Sequence, residues 1–317
     1  VLGLALTAAI ALPGVATAQE APPNGMRTPE LRVHAITNAT VVTKPGEKIE
    51  NATIIIRDGV IEAVGADVRI PREARLWNAE GRTVYPGLID AAVLVDIQGF
   101  EKSPGSHWNR LITPELHVGE FGVPDDSLRK SLRDIGITIA AVYPGRGILR
   151  GSGMVVSTAE STGQMTVYRP TGAMAAGLER TNGYPGSIMG SIALLRQTLH
   201  DAQWHEEAQR IWAEFPEQNE PPIRADSLVA LQPVLAGTQS VLFQTGDELD
   251  LLRAAKVMDE FALRGMFLGS GLEFRRLREV VAAGRPIIVP VEFPDRPDVT
   301  SLASADNVNL STMLTWE

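Results

Sequence analysis

The chain has 317 residues, 44% hydrophobic and 21% charged, which is ordinary globular composition. That is length enough for one large α/β domain with a small one, or for two medium domains. The formal net charge is −9 with no long basic run, which argues against nucleic acid and anionic membrane surfaces as partners.

Taken from its start, the chain first offers a targeting pattern. Residues 1–16 are small and apolar, and Ala16-Thr17-Ala18 fits a small-x-small cleavage site before Gln19. The run is too short to span a membrane, and Pro13-Gly14 near its end suits a signal peptide better than an anchor. An initiator Met and a basic n-region are missing, so residues 1–18 are expected to be part of a signal peptide. The protein is then exported, to the periplasm or the extracellular space, and the absence of Cys fits an exported protein without disulfides. Residues 19–30 read as a polar, Pro-containing linker.

Residues 31–83 read as a small all-β module. Residues 33–43 are rich in Val, Ile, Thr and Ala. Residues 52–57 and 60–64 flank Asp58-Gly59, a dipeptide suited to a tight hairpin in which both central residues need positive φ. Leu76 and residues 83–85 continue the β pattern, and no helical periodicity occurs before about residue 125.

Residues 84–317 change to strands alternating with helices. The pattern predicts a helix at 126–135, a strand at 137–143 and a helix at 188–208 with Ser187 as its N-cap. It then predicts strands at 240–243, 266–268 and 286–291, with helices at 248–263 and 273–283 between them. On the first of those two helices Leu249, Leu252, Ala255 and Phe261 have core spacing. Short apolar strands alternating with amphipathic helices indicate parallel βα units, in a (β/α) barrel or a doubly wound sheet. The glycines of Gly145-Arg146-Gly147-Ile148-Leu149-Arg150-Gly151 have the wrong spacing for a dinucleotide loop and lead into a strand, so the segment reads as a glycine-rich β turn.

Three motifs carry a family resemblance: Ile36-Thr37-Asn38-Ala39-Thr40-Val41, then Ile56-Arg57-Asp58-Gly59-Val60-Ile61-Glu62-Ala63-Val64-Gly65, then Pro86-Gly87-Leu88-Ile89-Asp90. In this order they resemble the start of the amidohydrolase superfamily, in its imidazolonepropionase- and prolidase-like branch. The resemblance implies a TIM-like (β/α) barrel preceded by a small β-sandwich, and hydrolysis of C–N bonds with zinc or another divalent metal. It also implies metal-binding histidines two and four residues after the Asp of the third motif, where this chain has Ala92 and Leu94. The further histidine positions, ending the fifth and sixth strands, fall at Gln244 and Ser270. None of these side chains is an imidazole, thiolate or carboxylate. The expectation is that this chain holds no metal cofactor.

The five histidines do not rebuild a site elsewhere. His200 and His205 are five apart on a predicted helix, about 140° around its axis, and His34, His107 and His117 are isolated in sequence. Asp90, Gln244, Ser270 and Glu292 are the candidates for a polar pocket at the C-terminal ends of the barrel strands, where such barrels hold their sites. The resemblance also implies a final strand beyond Glu317, so the barrel is expected to be incomplete and the chain a fragment. The leading reading is a non-catalytic first half supporting a metal-competent second half of the same polypeptide. A hydrolase with an atypical metal-independent site and a small-ligand binding module stand beside it.

Overall fold

The computed structural model describes residues 32–122, 124–160 and 165–291. The predicted signal peptide and linker at 1–30, and Glu292, lie outside them. The chain divides into two compact units, the first ending at Pro86 and the second starting at Gly87.

The first unit is one five-stranded sheet of β1 (Val33–Lys44), β2 (Glu47–Arg57), β3 (Val60–Gly65), β4 (Arg75–Asn78) and β5 (Thr83–Val84). β1 and β2 pair antiparallel, as do β2 and β3, whereas β4 and β5 run parallel to β1. Asp58 and Gly59 have φ of 51° and 79°, the left-handed pair that a two-residue hairpin consistent with the strand twist demands. Asn38 is also left-handed, with φ 59°, and the β1–β2 register slips between Ile36 and Ala39. This bulge changes which face the alternation buries. Val33 and Ala35 pack with Ile55 on one face, while Ala39 and Val41 pack with Ala52 and Ile54 on the other.

The second unit begins with β6 (Leu88–Val95), which pairs parallel with β7 (Ile137–Pro144) after α1 (Asp126–Asp134). Next come β8 (Leu149–Ser152), β9 (Met154–Ser157), β10 (Val167–Arg169) and β11 (Met174–Gly177). The long α2 (Ile188–Glu214) and the short α3 (Asp226–Val229) and α4 (Gln232–Leu235) follow. Then β12 (Val241–Gln244), α5 (Glu248–Glu260), β13 (Gly265–Leu268), α6 (Leu277–Ala282) and β14 (Ile287–Ile288) alternate. The strands form two sheets, β10-β9-β7-β6 and β14-β13-β12-β11-β8, with β11 to β14 parallel. Among the described residues the barrel is not closed.

Caps fix where the helices begin. The carboxylate of Asp125 accepts from the Leu128 N–H at 2.8 Å, the hydroxyl of Ser187 from Gly190 at 3.1 Å, and the carboxylate of Asp247 from Asp250 at 2.7 Å. Each satisfies an N–H that has no partner inside its helix. The outer face of the parallel strands is apolar: Met174, Ala176, Val241, Phe243 and Phe267 pack with Leu194, Leu195 and Leu199 of α2 and with Leu251 and Met258 of α5.

Several elements differ from their predicted bounds. The helix begun at Ile188 runs on to Glu214. α5 stops at Glu260 because Ala262 turns left-handed, φ 51°, and the Leu263 N–H bonds back to the Met258 carbonyl at 2.8 Å, a closure typical of helix C-termini. The helix expected at 273–283 opens as a 3₁₀ turn, and the strand expected at 286–291 shrinks to Ile287–Ile288. Pro286 and Pro290 bracket those two residues and cannot donate to a ladder.

Of the predicted core positions on this helix and just after it, Ala255 and Phe261 are buried and Leu252 packs against the core, but Leu249 does not. Leu251, Ala254, Ala255 and Met258 are buried, whereas Leu249 is 36% exposed. With leucines at 249, 251 and 252 the sequence permits either phase, and the small Ala254–Ala255 pair lets the sheet approach the second. Leu251→Ala should therefore cost about 2–5 kcal/mol, and Leu249→Ala no more than about 0.5 kcal/mol. Urea unfolding midpoints of the two variants check this; equal losses would place the stripe wrongly.

Candidate functional site

Side chains on a strand alternate between its faces, so the residues opposite the helix-covered ones face the barrel interior. They are Ala92 and Leu94 of β6, Ala141 and Tyr143 of β7, Ala175 of β11, Leu242 of β12, Met266 and Leu268 of β13 and Ile288 of β14, in one cluster with Val155. Ala92 and Leu94 thus point inward and pack among hydrocarbon. Burial pushes the phenol of Tyr143 above its usual pKa, because a phenolate in this surrounding would be poorly solvated.

Gln244 ends β12 in phase with Leu242, and Ser270 follows β13 in phase with Leu268. Asp90 differs from its expected place at a strand's C-terminal end, and the β6–β7 register slips between it and Val93. β6 starts at Leu88, so Asp90 lies in its first half, opposite Ala140. A cavity of about 950 Å³ brings Asp90, Gln244 and Ser270 together with Ala92, Leu94 and Leu268 in its lining.

Each of the three polar groups is engaged locally. One oxygen of the Asp90 carboxylate accepts from the Ala92 N–H at 3.0 Å. The Gln244 carbonyl accepts from Arg150 Nη1 at 2.6 Å. The Ser270 N–H donates to Glu273 Oε1 at 2.7 Å, which ties the serine to the 3₁₀ turn before α6. The arrangement offers one carboxylate and two neutral groups beside an apolar interior.

Arg150 was hidden from pattern reading because it lies within the glycine-rich turn. It is 5% exposed and donates from Nε to the Gly147 carbonyl at 2.7 Å. Burial pulls its pKa down to about 10, against the opposing pull of Glu179 and with a smaller push from Arg146. The available signal was a charged residue flanked by Leu149 and Gly151 in a strand that is buried throughout.

The histidines are dispersed. His34 Nδ1 accepts from Trp77 Nε1 at 3.2 Å, and His107 Nδ1 accepts from the Asn109 N–H at 3.0 Å. On α2, His200 is exposed and stacks near Phe261, whereas His205 is buried with Nε2 3.2 Å from the Ile223 carbonyl. His117 lines a different cavity, with Ser152 and Gln239. Among the described residues no group of three or more His, Cys, Asp or Glu could hold a metal ion. The donor set therefore does not fit the divalent metal that the resemblance implies.

The parallel strands, the helices on their outer face and the shared interior define an open (β/α) barrel, preceded in the chain by a small β module. No family model matches the sequence, and no curated protein matches it either. The fold is that of an amidohydrolase from Thermotoga maritima MSB8, with a TM-score of 0.68 and 18% identity over 89% of this chain and 75% of that one. Two others align more distantly. A D-hydantoinase from Thermus sp. has a TM-score of 0.36 at 12% identity, over 81% of this chain and 57% of that one. An N-acyl-D-glutamate deacylase from Bordetella bronchiseptica has 0.35 at 16%, over 83% and 58%. The chain thus has the amidohydrolase fold.

The packing of Ala92 and Leu94 yields a test. Ala92→His with Leu94→His places two imidazoles among Ala141, Tyr143 and Leu268, adding volume and polarity to an apolar cluster beside the cavity. Stability should fall by at least about 1–3 kcal/mol. Zinc should not raise the melting temperature of the double variant above that of the chelated form, since Gln244 and Ser270 add no strong donor. A zinc-dependent rise specific to the double variant would show that the interior can open around a metal.

Proposed function

We propose that this domain is a non-catalytic half of an exported amidohydrolase-like protein, supporting a metal-competent second half of the same polypeptide. The observation that carries the reading is the hydrocarbon of Ala92 and Leu94 on the inward face of β6, at two positions where the resemblance implies metal-binding histidines. The fold makes hydrolysis of C–N bonds the reaction class to test.

Chemistry explains why this loss is decisive. A divalent metal lowers the pKa of a bound water to near neutrality and polarises the carbonyl under attack. Without one, a carboxylate alone must activate water, and hydrogen-bond donors alone must hold the oxyanion. Loss of a single preorganised oxyanion donor typically costs about 3–4 kcal/mol, or a hundred- to thousand-fold in rate. Gln244 and Ser270 cannot replace a cation that performs both tasks. Asp90, with one oxygen already bonded to the Ala92 N–H, is the sole candidate base from the residues singled out in the sequence that lie in the described cavity.

The isolated domain should hydrolyse amides, lactams and dipeptides no faster than buffer, with or without added zinc. Metal analysis after chelator washing should find no stoichiometric transition metal. Turnover that survives chelation and disappears in Asp90→Asn would establish instead a metal-independent hydrolase.

Export is part of the same proposal and rests on residues 1–18. N-terminal sequencing of the protein secreted from a complete gene should begin at Gln19. A mature protein that retains Val1 to Ala18 would remove this part.

A further inference from the structure

We propose that the cavity beside Arg150 binds the carboxylate of a small monoacid with an apolar tail. The first ground is an unbalanced buried charge. Arg150 is 5% exposed, and its hydrogen-bond partners are the Gly147 carbonyl and the Gln244 side-chain carbonyl, both neutral. Among the described residues Nη2 has no hydrogen-bond partner, and the guanidinium makes no ion pair. Two other arginines with shielded side chains behave differently: Arg129 pairs with Asp126 and Arg285 with Asp259. Glu179 acts on Arg150 only through space, and one of its carboxylate oxygens accepts from the Gly147 N–H at 2.5 Å. A cation withdrawn from water without a partnered anion is costly, and an anion arriving from solution would offset that cost.

The second ground is the shape and lining of the cavity. It measures about 430 Å³, and Arg150 lines it together with Arg146, Ile97, Phe100, Leu116 and Pro144. Asp96 also lines it but lies 3.5 Å from Arg146 Nε, so among the described residues Arg150 keeps no ion-pair partner of its own. The volume falls within the range of small-molecule sites. A guanidinium presents parallel N–H donors that match a carboxylate, and the apolar residues suit an alkyl or aryl tail.

The third ground is that the fold makes room for the guanidinium. A Cβ on Gly177 would come within 2.2 Å of Arg150 Nη2. The arginine head therefore lies against the bare backbone at the end of β11, between that strand and Gln244. Glycine at 177 permits this placement, and any larger residue would displace the head.

Calorimetric titration of the whole chain with hexanoate, benzoate and hexanamide tests the proposal. At least one of the two acids should bind saturably with one site, and the uncharged amide should show no saturable heat. Arg150→Met should weaken the acid at least tenfold, Arg150→Lys less, and Arg146→Ala should leave most of the affinity. Gly177→Ala keeps the charge but moves it, and should weaken binding without removing an arginine. The proposal is overturned if neither acid binds the unaltered protein, if acid and amide bind alike, or if folded Arg150→Met retains the affinity. The acid–amide comparison uses the unaltered chain and holds even where a variant does not fold. The outcome is independent of the non-catalytic reading, which rests on Ala92 and Leu94 and is tested by turnover and metal content.

Discussion

Each parallel strand of the second unit must bury two faces at once, since helices cover the outer face and the facing strands cover the inner one. The outer demand is met by Met174, Ala176, Val241, Phe243 and Phe267 against α2 and α5. The inner demand is met by residues of alternate phase, among them Ala92, Leu94, Ala141, Leu242 and Leu268. A period of two ties the two sets together wherever the strand register is regular. A shift of one residue in any strand would carry its inward set under the helices and its outward set into the barrel.

That packing decides what the interior can do. An enzyme that coordinates a cation inside a barrel must keep some inward positions polar and leave space for a reacting molecule. Here the inward positions of β6 carry hydrocarbon, and burial raises the pKa of Tyr143 in the same cluster. Polar groups return along the cavity wall at Asp90, Gln244, Thr245 and Ser270, and each already serves a neighbour.

How much of this was legible follows from where the physics is local. Asp58-Gly59 announced its hairpin because positive φ is a property of the dipeptide. Ser187 announced a helix start because capping involves residues three apart. The inward phase of Ala92 and Leu94 was readable from alternation once the strand was placed. The stripe of α5 was legible only in part: Ala255 and Phe261 are buried as expected, but leucines at 249, 251 and 252 fit two faces and the packing selects 251 over 249. The length of β14 was also hidden, because strand extent depends on a partner as well as on composition. Arg150 was missed for a related reason. Its partners Gly177 and Gln244 are remote in sequence, and a glycine-rich stretch disguised it as turn.

The placement of Arg150 bears on a position where the resemblance implies a metal ligand. Its Nη1 bonds to Gln244, at a position where the resemblance implies a histidine ligand. A positive charge is thus retained at that end of β12, but in a different chemical form. A guanidinium has no open coordination position and cannot bring a water molecule to hydroxide, so it gives no route to the nucleophile. It can, however, donate two hydrogen bonds in a fixed plane to an anion, and it keeps its charge across physiological pH even with its pKa pulled down to about 10. A metal bound beside it would face direct repulsion in a poorly screened site. The same arginine therefore disfavours recovery of a metal centre at Gln244 and supplies what a carboxylate-binding pocket needs. Under the proposed reading, the group beside Gln244 is suited to recognising an acid and not to activating water.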